Sequence, residues 1–453
     1  MKLKLSLIVA FVALFSATAQ NEECIEKLSI FTESAKVKNY DAAYDTWMFV
    51  RKTCPKLNNA IYVYGEKILK HKIKNSTGTE KTTYANDLVA MYKESMANMP
   101  NKFPVGKTEA KIGQLMYDAK LGTAETQFNT FDAGFKKDAK TFNNPKALYT
   151  YFKLMVGLFD TQKKDFQGLI DLYSTITDKV EAEQKNYSGK KDALLLKEEN
   201  GSITSKEKRK LKSYGSFLTA YTQISGGIDK DLGDRANCDK LVPLFEKNFE
   251  ANKSNSAWLK SAASRLAGKD CADAPLFVKM VEALHNLEPS ANSAYYLGVL
   301  SQKKKAYADA EKYYNESAKL HTEGFEKAKV YYKLAVISKK RGQKAKARSY
   351  ANKTLNAQPS FGKAYLLISG LYASSANNCG TTQFEKRATF WLAANVAEKA
   401  GRADGSLKKA AAKTAANYRA KAPSKQDIFT EGMGGKKVSI NCWINKTVTV
   451  PNL

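Results

Sequence analysis

The chain has 453 residues, 43% of them hydrophobic, which is enough to bury a core and, at ordinary domain sizes, to build about three domains. Lys and Arg number 73 against 45 Asp and Glu, a formal net charge of +28. That balance favours polyanionic surfaces, but no recognition motif or base-stacking sheet accompanies it, so nucleic acid is not an expected partner.

Lys2 and Lys4 precede an apolar run from Leu5 to Phe15, and Ala17-Thr18-Ala19 supplies the small-x-small pattern of a cleavage site. Residues 1–19 therefore read as a removed secretory signal, too short to span a bilayer. Loss of Lys2 and Lys4 lowers the +28 by two, to +26. Cys24 follows Asn21-Glu22-Glu23 and not the small residues directly, which argues against a lipid anchor. No other stretch approaches twenty apolar residues, so the expected product is an exported chain without a membrane span, in a periplasm, on an outer membrane or outside the cell.

Six cysteines in an exported chain imply up to three disulfides, and six allow fifteen connectivities. Helical hairpins narrow the choice: Cys24 opens a first helix and Cys54 closes its partner, and Cys238 and Cys271 bracket a second hairpin at nearly the same spacing. Cys379 and Cys442 remain as a third pair. None of the six has the CxxC or His-Cys spacing of a redox or zinc site.

Over 20–178 the apolar spacing is helical. Ala43, Trp47 and Pro55 mark one hairpin, and Gly65, Tyr92 and Pro100 a second. Thr108 to Asn144 is periodic with a looser fit, and the step from Gly157 to Leu169 and Tyr173 suggests another hairpin. From 179 to 233 charge rises and apolar spacing thins. Thr204-Ser205-Lys206-Glu207 is a capping box, so two long helices around Asn200-Gly201 are expected, read as a solvated insertion that ends in a junction at Gly226, Gly227 and Gly233.

Regular hairpins resume over 234–422. Phe277, Val281, Leu284 and Pro289 fit a second helix. From Ala291, Leu297, Gly298, Ala310 and Tyr314 recur at the offsets that Leu334, Ala335, Ala347 and Pro359 share from Ala328, and a period of about 34 residues carries Tyr331 to Tyr365. This stretch, 291–369, resembles the tetratricopeptide repeat (TPR). The small residues, Gly298 against Ala310 and Ala335 against Ala347, allow two helices to approach, while Leu297, Tyr314 and Leu334 fill the adjoining grooves. The third hairpin, from Gly362, is interrupted at 376–380 and resumes at Phe384, and a helix from Ser406 to Ala420 caps the array. In the tail, 423–453, period-two spacing places Val438, Ile440, Cys442 and Ile444 on one face of a strand, with Val448 and Val450 after a turn at Asn445-Lys446.

The expected fold is all-α, a TPR-like helical-hairpin solenoid with a charged long-helix insertion and a small C-terminal β-hairpin. Whole-chain features, a leader with Cys-bracketed hairpins and central repeats, resemble the exported TPR proteins of bacterial envelopes. Such an array implies a non-enzymatic scaffold that holds a partner protein or peptide in the groove lined by first helices. By repeat position that groove takes Tyr295, Val299, Gln302, Lys303, Lys329, Tyr332, Val336, Lys339 and Lys340. Tyr295 and Val299, with Tyr332 and Val336, stand where chaperone-binding TPRs carry a Lys-Asn carboxylate clamp, so that specialised role is not implied. The alternative is a basic binder of anionic lipid or glycan, such as lipopolysaccharide or peptidoglycan, through surface lysines such as Lys303-Lys304-Lys305 and Lys339-Lys340-Arg341. His71, His285 and His321 are far apart and no nucleophile elbow or phosphate loop occurs, so no catalytic residue, metal or cofactor is expected.

Overall fold

The computed structural model describes residues 21–452, and the leader expected over 1–19 lies outside them. The chain divides after Leu169 into two compact units.

The first unit holds α1 (21–36), α2 (Tyr40–Thr53), α3 (Ala60–Asn75), α4 (Gly78–Asn98), α5 (Val105–Asp118), α6 (Ala124–Lys137) and α7 (Pro145–Asp160). Side-chain N-caps at Asn39, Thr123 and Asn144 start three of them. Cys24 is bonded to Cys54, closing the α1–α2 hairpin. Trp47 is completely buried and its indole N–H donates to the Ile61 carbonyl at 2.7 Å. Its ring fits because Gly65 has no side chain: a Cβ there would lie 2.6 Å from the indole and 2.7 Å from the Met91 sulfur. The α5–α6 crossing is made by glycines too, Gly113 under the Phe131 ring and Gly134 against Glu109. Gly157 differs from the expectation. It is exposed on α7 with nothing near its missing side chain, so it does not mark a close crossing.

The second unit begins within α8 (Phe166–Glu199) and continues with α9 (Ser205–Leu232), α10 (Cys238–Asn252), α11 (Ser256–Gly268), α12 (Pro275–Leu287), α13 (Ala291–Lys303), α14 (Tyr307–Leu320), α15 (Gly324–Lys340), α16 (Lys344–Ala357), α17 (Gly362–Ala373), α18 (Gln383–Ala403), α19 (Lys408–Arg419) and the short α20 (Lys425–Thr430). The Thr204–Glu207 capping box is formed at the start of α9. Gly226 and Gly227 lie inside α9, and the chain turns only at Gly233, whose φ is +46°. Cys238 is bonded to Cys271 across α10 and α11.

From α13 to α18 successive helices fold back as hairpins. Gly298 takes the ring of Tyr314, whose nearest atom would be 2.7 Å from a Cβ. The closest neighbour is thus one turn beyond the Ala310 that the spacing suggests, because an aromatic edge and not a methyl fills the gap. Ala310, Ala335 and Ala347 are completely buried in the same core. Two buried serines tie neighbouring helices together, Ser317 donating to the Ala291 carbonyl and Ser369 to the Ala393 carbonyl, each at 2.7 Å. Each unit is all-α; in the second the hairpins from α13 to α18 pack as a TPR-like helical-hairpin solenoid, with a small β-hairpin at its C-terminal end.

That hairpin pairs β1 (Lys437–Ile440) with β2 (Lys446–Thr449) in antiparallel register, Val438 opposite Val448. Cys442 and Ile444 belong to the connecting turn and not to a strand, since the pairing ends at Ile440 and Cys442 is bonded to Cys379. Val438, Ile440, Ile444, Val448 and Val450 are buried in the core shared with α18. The Trp443 indole donates to the Ser375 hydroxyl at 3.1 Å beneath the Arg348 guanidinium, 5.1 Å from its ring.

Candidate partner-binding face

In each hairpin the first helix turns one stripe toward its partner and leaves another free. On α15 the inward stripe is Ala328, Val330, Leu334, Ala335 and Ile337, all buried. Tyr332, Val336 and Lys339, one turn apart, emerge beside it. With Lys363, Leu366 and Leu367 of α17 they line a shallow depression of about 280 Å³. The Tyr332 ring rests on Phe361 at 5.0 Å, and burial raises its phenol pKa. Lys339 and Lys363 are exposed and make no ion pair among the described residues. Lys340 is exposed and does not line the depression, and its charge adds to the burial that lowers the pKa of Lys333.

The other groove residues are placed differently. Tyr295 and Lys329 line a separate depression of about 780 Å³ whose opposite wall is α8. The Tyr295 ring meets Tyr296 at 5.4 Å and Tyr314 at 5.6 Å, and burial pushes its phenol up to about 12. Lys329 is bonded to Glu181 of α8 and lies 4.2 Å from the Phe325 ring. Lys185 of α8 reaches Glu323 at 3.7 Å, and Asp178 accepts from Arg265 of α11 at 2.5 Å. Charge there is matched within the chain, and burial lowers the pKa of His321 in the same wall.

Gln302 accepts from the Tyr314 hydroxyl at 3.2 Å, Lys303 pairs with Asp270 at 2.7 Å, and Val299 packs against the core. Three of the nine residues, Tyr332, Val336 and Lys339, therefore come together in one depression, and six do not. Lys363, Leu366 and Leu367 were not singled out by repeat position, although the period that reaches Tyr365 lands among them. The charged α8 residues Asp178, Glu181 and Lys185 fall on one helical face, but nothing in the local sequence says what that face meets.

Among the described residues no cluster of three or more His, Cys, Asp or Glu side chains is placed to hold a metal, and no helix is long and apolar enough to cross a membrane. His285 is half-buried, with Nδ1 3.1 Å from the Ser293 hydroxyl.

No family model matches the chain, and no curated protein matches it in sequence. Solved structures similar to it include yeast Tom70, with 12% identity over 91% of this chain and 90% of that one, TM-score 0.33. Human IFIT1, as a dimer with PPP-AAAA, has 11% identity over 88% and 94%, TM-score 0.30. The TPR domain of P58(IPK) has 10% identity over 88% and 98%, TM-score 0.21. At these identities and scores the likeness carries no functional argument, and the TPR-like description stands on the hairpin packing itself.

Proposed function

We propose that the chain is a non-enzymatic scaffold of the bacterial periplasm or outer envelope that holds a partner protein or peptide on the face shared by α15 and α17. The observation that carries this reading is the depression itself: an apolar floor of Val336, Leu366 and Leu367, an aromatic wall at Tyr332, and two unpaired ammonium groups at its rim. Such a surface suits a segment with apolar side chains and a carboxylate. The three disulfides support an oxidising compartment.

Crosslinking in intact cells followed by capture, comparing the wild type with Tyr332→Ala/Val336→Ala, tests it. The variant is expected to lose a specific crosslinked partner while keeping its helical content. An unchanged set of partners would remove this face from consideration. The alternative, lipopolysaccharide or peptidoglycan binding through surface lysines, is favoured by the net charge, +28 for the full chain and +26 without Lys2 and Lys4. It predicts co-sedimentation with those polymers that disappears as salt is raised and is indifferent to Tyr332.

A further inference from the structure

The α8–α9 hairpin and the α17–α18 pair enclose a cleft of about 1040 Å³, separate from the α15–α17 face. Its lining carries six cations: Lys191, Lys208, Lys212, Lys399, Arg402 and Lys408. None of them forms an ion pair among the described residues. This contrasts with the neighbouring depression, where Lys329 and Lys185 are each matched by a carboxylate. Two acids, Glu198 and Glu199, share the cleft and leave four positive charges in excess.

Lys191 is the innermost of the six, with 4% of its surface exposed, and its ammonium donates to the Ala403 carbonyl. Residue 215 beside it is glycine, and a Cβ there would make ordinary contact with the ammonium at 3.7 Å. Burial lowers the Lys191 pKa, outweighing the attraction of Asp404, Asp192 and Glu198, none of which forms an ion pair with it among the described residues. The apolar part of the lining alternates with the charge. Leu195 and Leu196 follow Lys191 by one turn, Leu211 stands between Lys208 and Lys212, and Leu196 is 55% exposed.

We propose that this cleft is a second binding site, which takes an acidic peptide segment of a partner, with apolar side chains set between its carboxylates. Interleaving decides the class of occupant. A lipid separates its anionic head from its tail and would call for a basic rim beside an apolar slot, whereas here leucines and lysines alternate within single turns. A nucleic-acid strand would call for stacking rings, and among the described residues Tyr365 is the one aromatic side chain lining the cleft.

The test uses a fluorescein-labelled peptide of Glu-Glu-Leu repeats, read by anisotropy on the oxidised full chain, with the Gln-for-Glu analogue alongside. Lys212→Glu/Lys399→Glu changes two exposed cleft residues, and Lys339→Glu/Lys363→Glu removes the same charge from the α15–α17 face. The first variant is expected to weaken binding roughly tenfold or more, the second less than about twofold, and the Gln analogue not to bind. Equal weakening in both variants would reduce the effect to bulk charge and overturn the proposal, as would undiminished binding in the first. Loss confined to the second variant would leave the α15–α17 reading standing and remove this one. Phosphatidylglycerol vesicles form a parallel arm: should they depend on Lys212 and Lys399 while the peptide does not, the occupant is a lipid and the proposal fails.

Discussion

Thr389 on α18 is completely buried, and its hydroxyl is left without a hydrogen-bond partner. A buried hydroxyl in that state costs about 1–3 kcal/mol relative to one that is satisfied, and valine has nearly the same shape. Thr389→Val is therefore expected to stabilise the second unit by about 1 kcal/mol, seen as a rise in the urea midpoint. A fall would mean that the hydroxyl has a partner, such as a buried water. The same accounting explains why Ser317 and Ser369 stand in equally buried positions: each has a carbonyl on a neighbouring helix to donate to. Arg51 follows the rule for charge. It is 6% exposed and satisfied by Glu94 and Asp87, with N···O distances of 2.8 Å to each.

Among the elements, α8 departs furthest from what its composition suggests. Its charged residues read as a solvated stripe, yet Val180, Glu183, Ser188, Lys191 and Leu194 are buried. Asp192 on this helix accepts from the Ser360 backbone N–H at 2.8 Å, just ahead of α17, and from the Ser188 hydroxyl at 3.3 Å. Burial raises its carboxyl pKa despite those bonds. The sign follows: an acid whose folded pKa lies above its unfolded value is a liability when ionised, and the liability fades as pH falls through the folded pKa. Asp192→Asn keeps an oxygen for Ser360 and removes the charge. At pH 7 it is expected to match or exceed the wild type in thermal stability and to lose the wild type's relief on acidification. Asp192→Ala, which abandons the Ser360 N–H, should cost about 1–3 kcal/mol. Equal losses in the two variants would place the importance of Asp192 in its charge. Local rules made the hairpins of 291–369 and the Thr204 cap legible, because each is written within a few turns of sequence. The role of α8 was not legible, since Glu181 and its partner Lys329 lie 148 residues apart and no periodicity connects them. The nine groove residues divided for the same reason: repeat position finds a first-helix face but not what already covers part of it.

At the scale of the whole molecule, α8 reaches far along the chain to Lys329, Ser360 and Ala403, while the other helices pack mainly on the next, as in stacked arrays. The disulfides follow that plan, spanning 30, 33 and 63 residues and each joining elements that are close in the fold. Loop closure of those lengths is worth about 3.5–4.5 kcal/mol per bridge. The Cys379–Cys442 bridge has a further part, because a lone two-stranded hairpin is marginal in water and β1–β2 supplies Val438, Ile440, Val448 and Val450 to the core beside α18. If the effect of a bridge is local, Cys379→Ser/Cys442→Ser should lose about 4 kcal/mol of protection in amide hydrogen exchange over β1, β2 and α18, with α2 and α3 unchanged. Cys24→Ser/Cys54→Ser should produce the converse, loosening α1 and α2 and sparing the β-hairpin. Protection that falls evenly along the chain in either variant would show that the hairpins melt as one cooperative body, and nearest-neighbour additivity would then have to be abandoned for this solenoid.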